Sequence, residues 1–371
     1  NYKAMMYMLL VYVGFLLSCA FSEPSPDILH SGYVQNHRNE NILPVKEEIL
    51  CPDPDDIFPC VCSQHHEPDH NSTIDLDCSL IEDVDQLAKV FMADFPKKTF
   101  REFTVYNNSA INVLPSGIFH DVTFTSIGIM WGSLEMVEFG SFAGFEGFLE
   151  EMIFYQNNLQ SIESFPFSEL ISFVMLNKLD LHGNHFKAMP EMENPALTYL
   201  DLRYNPIGWI PASSFMNLPS LKHIYLGETN MEEVKLGTFE SLSQLRTIDL
   251  TNNKLSNITY GTIATTTDQL LWLDLARNNI QQINPNSITV QNEWLGLNLV
   301  SNELKELKET TFRPLLDQGS FLYVEDNPLL CGCDLAWLVR DTTLMDHIDQ
   351  RATCATGVNL HDLDPQDFQD C

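Results

Sequence analysis

Ten times between residues 100 and 329 the chain repeats one pattern, L-x-x-L-x-L-x-x-N-x-L, at a pitch of about 24 residues. The frames open at Phe100, Phe124, Leu149, Leu176, Leu197, Leu221, Leu245, Leu270, Trp294 and Gly319. A fixed period of this length means one supersecondary unit stacked on copies of itself, which leaves few architectures open. Residues 197–207 show how the unit works. Leu200 and Leu202 alternate inward on a short strand, so Tyr199, Asp201 and Arg203 point outward. Leu197 and Ile207 fill the same core from the flanking turns. One unit cannot bury its own leucine row; its neighbours bury it.

The asparagine has a separate task. Where the chain leaves the strand, backbone groups enter the interior and need partners, and an amide both donates and accepts. The position reads Asn108, Gly132, Asn157, Asn184, Asn205, Thr229, Asn253, Asn278, Asn302 and Asn327. A second column lies eighteen residues after the openings: Ile118, Phe142, Phe167, Phe215, Phe239, Ile263, Ile288 and Phe312. The fourth unit is only 21 residues long and lacks a member of this column, which predicts a kink or tighter loop there. The pattern defines an α/β leucine-rich repeat solenoid, a horseshoe of about ten repeats. Its parallel β-sheet is concave, and loops or short helices form the convex side.

A stacked core ends in two open apolar faces that must be closed. Cys51, Cys60, Cys62 and Cys78 precede the first repeat, and Cys331, Cys333, Cys354 and Cys371 follow the last. Each foursome permits three pairings, and spacing does not choose among them. A Cys-x-Cys cluster beside His65, His66 and His70 is also compatible with zinc. Secreted context favours disulfides, and the start of the chain supplies that context. Residues 5–20 are apolar, follow Lys3, and end in Ser18-Cys19-Ala20, the pattern of a signal peptide over 1–20. The stretch is short for a membrane span of about 20 residues. Residues 21–50, polar and holding Pro24, Pro26 and Pro44, read as a linker. The remaining expected divisions are a cap at 51–99, repeats at 100–329 and a cap at 330–371. No stop-transfer helix or lipid-anchor tail is visible, so the expectation is a secreted protein without membrane insertion.

Net charge is −31, from 51 acidic against 20 basic side chains, which disfavours nucleic acid and anionic lipid as partners. Part of the acid is arranged, because the central outward strand position reads Asp180, Asp201, Tyr225, Asp249 and Asp274. Such a column either steers a partner or bonds its own neighbours. Aromatic and apolar residues share the outward positions: Tyr106, Met130, Trp131, Ile153 and Tyr155, then Tyr199, Tyr204, Tyr225 and Trp272, then Phe321 and Tyr323. Aromatics are enriched at interface hot spots, and they also pack laterally between strands. The expected partner-binding set on the concave face is Tyr155, Asp180, Asp201, Tyr204, Tyr225, Asp249, Trp272 and Asp274, and the expected partner is a protein. Glycosylation sequons stand at Asn71, Asn107 and Asn257, with Asn257 expected in the turn after the seventh strand.

An enzyme needs a constellation, and the chain has no G-x-S-x-G, phosphate-binding glycine loop, H-E-x-x-H or dinucleotide fingerprint. His182, Asp180 and Asp201 could meet across two strands, but an open sheet excludes little water. No catalysis, cofactor or resident metal is expected.

The segment Asn327-Pro-Leu-Leu-Cys331-Gly-Cys333-Asp-Leu-Ala-Trp337 resembles the cysteine-rich caps that flank extracellular leucine-rich repeats. The resemblance implies Cys51–Cys62, Cys60–Cys78, Cys331–Cys354 and Cys333–Cys371. From Cys51 to Cys371 the chain resembles the secreted arthropod leucine-rich repeat family that includes the non-catalytic subunit of oplophorus luciferase. The residues behind this are Cys51-Pro-Asp-Pro-Asp-Asp-Ile-Phe-Pro-Cys60-Val-Cys62, the divergent opening repeats with Leu-Pro-Ser-Gly-Ile-Phe119, and the cap ending in Cys371. That resemblance implies a larger subunit that stabilises a small catalytic partner without oxidising the luciferin itself. The competing reading is a soluble pattern-recognition protein of the Toll-ectodomain kind.

Overall fold

The computed structural model describes residues 50–66, 72–289 and 294–371. The chain divides into two units, 1–48 and 49–371. The expected signal peptide, the linker up to residue 49, the sequon at Asn71 and His70 lie outside the described residues, as does the side chain of His66.

The second unit is built on a twelve-stranded sheet whose strands follow chain order. An antiparallel hairpin, Val61–His66 with Ser72–Asp77, starts it. Ten parallel strands follow, one per repeat: Thr99–Tyr106, Thr123–Met130, Glu151–Ile153, Lys178–Asp180, Tyr199–Asp201, His223–Tyr225, Thr247–Asp249, Trp272–Asp274, Gly296–Asn298 and Phe321–Tyr323. Most are three residues long because the turn begins at once after the second inward leucine. Leu179, Leu200, Ile224, Ile248, Leu273 and Leu297 stand in register and are buried. In the opening repeats the same space is filled by phenylalanine, with Phe100, Phe103, Phe119, Phe124, Phe142 and Phe145 buried in mutual ring contact. That substitution is why those repeats diverge from the leucine consensus.

The asparagine column forms the ladder its chemistry implies. Asn205 is fully buried; its amide donates to the carbonyls of Leu181, Leu202 and Arg203, and its oxygen accepts from Phe186 N–H. Thr229 replaces the amide with a hydroxyl that donates to Leu226 O, and Asn253 Oδ1 accepts from the Thr229 N–H. Gly132 is required by closeness: a Cβ there would meet Asn157 Oδ1 at 2.8 Å and Asn108 O at 2.9 Å. The residue before each ladder position is left-handed in every repeat, with φ between 52° and 66° at Asn107, Trp131, Gln156, Gly183, Tyr204, Glu228, Asn252, Arg277, Ser301 and Asp326.

The eighteen-residue column is buried throughout, and Phe215 stacks on Phe239 at 5.9 Å. The short fourth repeat closes by a tight loop organised by Asn194. This amide, fully buried, donates to Leu170 O and Phe173 O and accepts from the N–H groups of Ala196 and Leu197.

Both ends are sealed. Disulfides join Cys51 to Cys62, Cys60 to Cys78, Cys331 to Cys354 and Cys333 to Cys371. At the C-terminal end the Trp337 indole donates to Leu307 O, tying the cap to the last repeats. With their sulfurs bonded to one another, the N-terminal cysteines have no thiolate to offer zinc.

Candidate functional site

Register lays the outward residues of the concave sheet in rows. One runs Glu151, Lys178, Tyr199, His223, Thr247, Trp272, Gly296 and Phe321. The next runs Ile153, Asp180, Asp201, Tyr225, Asp249, Asp274, Asn298 and Tyr323. Tyr155, His182 and Arg203 follow where the strands end.

The aspartates are not the open carboxylate column that alternation suggests. Asp180, Asp201 and Asp249 are buried, at 7%, 0% and 5% exposure. The reason is local. In Asp180, Asp201, Asp249 and Asp274 one carboxylate oxygen accepts the N–H two residues on, which bends each side chain back over its own turn. Larger neighbours then cover them. Tyr204 is also corrected: it lies in the left-handed turn leaving its strand, φ 56° and 52% exposed, at the lip of the face rather than on the sheet. Trp131 occupies the equivalent turn. Asn257, exposed, opens a two-residue strand, Asn257–Ile258, instead of lying in a turn.

At the centre stands a charged and aromatic cluster. Asp201 is gripped by Arg203, with Nε at 3.0 and 3.1 Å from the two oxygens and Nη2 at 2.6 Å. The guanidinium then lies over the Tyr225 ring at 5.0 Å, and Tyr225 packs on Tyr199 at 5.1 Å. On the other side His182 Nδ1 lies 2.7 Å from Asp180 Oδ1 and 4.0 Å from Asp201 Oδ2, while its ring stacks on Tyr155 at 4.6 Å. Lys178 sits over Tyr199 at 5.6 Å. Burial pushes the Asp201 carboxyl up, and the Arg203 hydrogen bonds oppose it. Burial disfavours charge on Arg203 as well, but its bonds to Asp201 outweigh that and raise its pKa. Desolvation pushes Tyr225 up to about 12, and burial lowers His223. Sequence reasoning placed Tyr199, Arg203 and His182 outward without assigning them to the site; the signal available was a lone arginine two residues after a strand aspartate.

Asp180, His182 and Asp201 bring their ligand atoms within 4.8 Å of one another, a spacing a metal ion could use. Arg203 already supplies positive charge to both oxygens of Asp201, one of the three residues.

Toward the C-terminal end, Trp272 lies across Gly296, where a Cβ would meet the indole at 2.5 Å. Its Nε1–H donates to Asp274 Oδ2 at 3.2 Å, Asn298 donates to the same oxygen at 3.1 Å, and its ring meets Tyr323 at 5.5 Å. Burial, with a smaller contribution from the Asp249 charge, pushes the Asp274 carboxyl up to about 6. A carboxyl raised in the fold makes stability fall as pH climbs from its unfolded value near 4 through about 6. Asp274 should therefore cost the native protein about 2–3 kcal/mol at pH 7 relative to pH 4. Urea unfolding of the wild type and Asp274→Asn across this range checks it: the difference between the two should change with pH, and a constant difference refutes the assignment.

The fold and the caps define a leucine-rich repeat protein with both ends of its solenoid closed. The leucine rich repeat family model matches residues 195–255. The non-catalytic subunit of Oplophorus-luciferin 2-monooxygenase from Oplophorus gracilirostris is 31% identical over 326 residues, covering 86% of this chain and 88% of that protein. The chain belongs to that subunit's family. Toll-like receptor 9 of Mus musculus is 31% identical over 143 residues, 38% of this chain but 14% of the receptor. Among solved structures, the octameric complex of Latrophilin 3, Unc5D and FLRT2 is similar with a TM-score of 0.57 at 19% identity, over 71% of this chain and 81% of the matched one. The TLR13–ssRNA13 complex is similar with a TM-score of 0.55 at 21% identity, over 67% and 34%. These two structural likenesses concern the fold.

Proposed function

We propose that this chain is a secreted, non-enzymatic subunit that binds and stabilises a protein partner on its concave face, the partner being a small catalytic subunit. The observation that carries this is the lateral continuity of the face. Tyr155, His182, the Asp201–Arg203 pair, Tyr199 and Tyr225 form one run of ring and ion-pair contacts across four strands, and Trp272, Phe321 and Tyr323 form a second. Such a surface is rigid before any partner arrives, which limits the entropy lost on binding. The relative's name, a non-catalytic subunit, supplies the class of partner. Division into caps at 51–99 and 330–371 around repeats at 100–329, behind a signal peptide at 1–20, belongs to the same proposal. No helix among the described residues is long and apolar enough to cross a membrane.

The test is capture of the partner from the native secretion, followed by mass spectrometry and affinity measurement. Trp272→Ala should weaken capture about tenfold or more with the fold intact, because buried aromatic anchors commonly cost about 2 kcal/mol on truncation. Phe239→Ala is the convex control and should lower Tm without a specific loss of binding, since its ring is in the core stack. Wild-type affinity in Trp272→Ala, with binding lost on convex-loop substitution, means that the docking face is assigned wrongly. Recovery of a microbial ligand and no small subunit favours the receptor reading instead.

A further inference from the structure

We propose that Asn107 carries an N-linked glycan whose first sugar packs on the indole of Trp131, closing the N-terminal lip of the concave face and leaving the partner the strands from the third repeat onward. The inference rests on the secreted reading above and deepens it by limiting where a partner docks. Asn107 opens the sequon Asn107-Asn108-Ser109. It is exposed, whereas Asn108 is a buried ladder residue whose amide donates to Ser79 O and Ile81 O. The sequon is therefore anchored at its middle and presents its acceptor to solvent.

Asn107 and Trp131 are the same position of consecutive repeats. Both have φ of 53°, and their N–H groups make equivalent bonds, Asn107 to Met130 O at 2.9 Å and Trp131 to Tyr155 O at 3.1 Å. Neighbouring parallel strands lie about 4.8 Å apart, so the backbones of Asn107 and Trp131 stand about one strand spacing from each other. Trp131 is 53% exposed, so its indole has surface free for a sugar. Tyr106, 42% exposed, flanks it. A pyranose presents one face of C–H groups to an aromatic ring, which gives this exposed indole an apolar partner covalently tied to the chain. Asn257 makes the contrast: it is exposed too, but its neighbour in the adjacent repeat is Gln282, which offers no ring.

The full chain is expressed in insect cells behind an added secretion signal, and in parallel with only its own leader. Glycopeptide mapping of the first sample should find Asn107 occupied. Asn107→Gln should lower Tm by about 2 °C or more in the wild-type background and by much less in Trp131→Ala, a coupling that only contact between the two produces. Asn107 bare while Asn257 is glycosylated overturns the proposal, as do additive Tm effects of the two substitutions. Retention in the second sample, with Asn107 occupied and coupled in the first, overturns the secreted reading and leaves the glycan contact standing.

Discussion

Asn205→Leu should lose about 3 kcal/mol or more of stability, far beyond what one hydrogen bond contributes. The side chain is fully buried and makes four bonds, donating to Leu181 O, Leu202 O and Arg203 O and accepting from Phe186 N–H. Leucine has nearly the same size, so shape is conserved and the cost is the set of backbone groups left unpaired, each about 1–3 kcal/mol when no water reaches it. Leu181 and Phe186 belong to the preceding repeat, so the damage crosses the repeat boundary and weakens the stacking on which a solenoid depends. Asn205→Thr is the informative companion. Thr229 already holds this position in the next repeat through a hydroxyl bond to Leu226 O, so threonine at 205 should recover part of the loss. Chemical denaturation of the three proteins decides it. A loss under about 1 kcal/mol for the leucine variant means that the ladder is not a principal source of stability.

The ladder was legible because chemistry fixed it. A polar side chain recurring at one phase of an apolar repeat has to be buried, and an amide, with two N–H donors and a carbonyl acceptor, serves several backbone groups there at once. The leucine rows and the convex column were legible for the same reason of period. The surface was not, because alternation states which way a side chain leaves the strand and not what then lies on top of it. Asp201 leaves the strand outward and ends fully buried under Arg203 and its neighbours. Tyr204 looks like one more outward residue, yet the ladder turn puts it in the left-handed region at the lip. Asn194 carried the least signal: it stands outside the ladder phase, and only the shortness of its repeat and the missing member of the convex column marked where an extra capping amide was needed. Contacts between rows, such as Trp272 across Gly296, depend on the residue one repeat away being glycine. That is visible in the sequence only after the register is known.

Arg203→Ala should destabilise the protein by about 3–5 kcal/mol at pH 7, because it removes the guanidinium bonded to a carboxylate with no exposure. What remains to Asp201 is the N–H of residue 203 at 3.0 Å, the Tyr199 hydroxyl at 3.4 Å and, farther off, His182 Nδ1 at 4.0 Å, too little to hold a buried charge. Burial already pushes this carboxyl up in the wild type, and the Arg203 bonds are the main opposing influence. Without them its folded pKa stands well above the unfolded value near 4. Stability of the variant is then fully present below that unfolded value and lost as pH rises through the folded one. The deficit should therefore shrink as pH is lowered from 7 toward 4, and Asp201→Asn in the Arg203→Ala background should recover much of it at neutral pH by removing the charge. Tyr225 loses the guanidinium over its ring and keeps its contact with Tyr199. A deficit that is independent of pH, or that Asp201→Asn does not relieve, would mean that Arg203 acts by packing its stem rather than by neutralising Asp201.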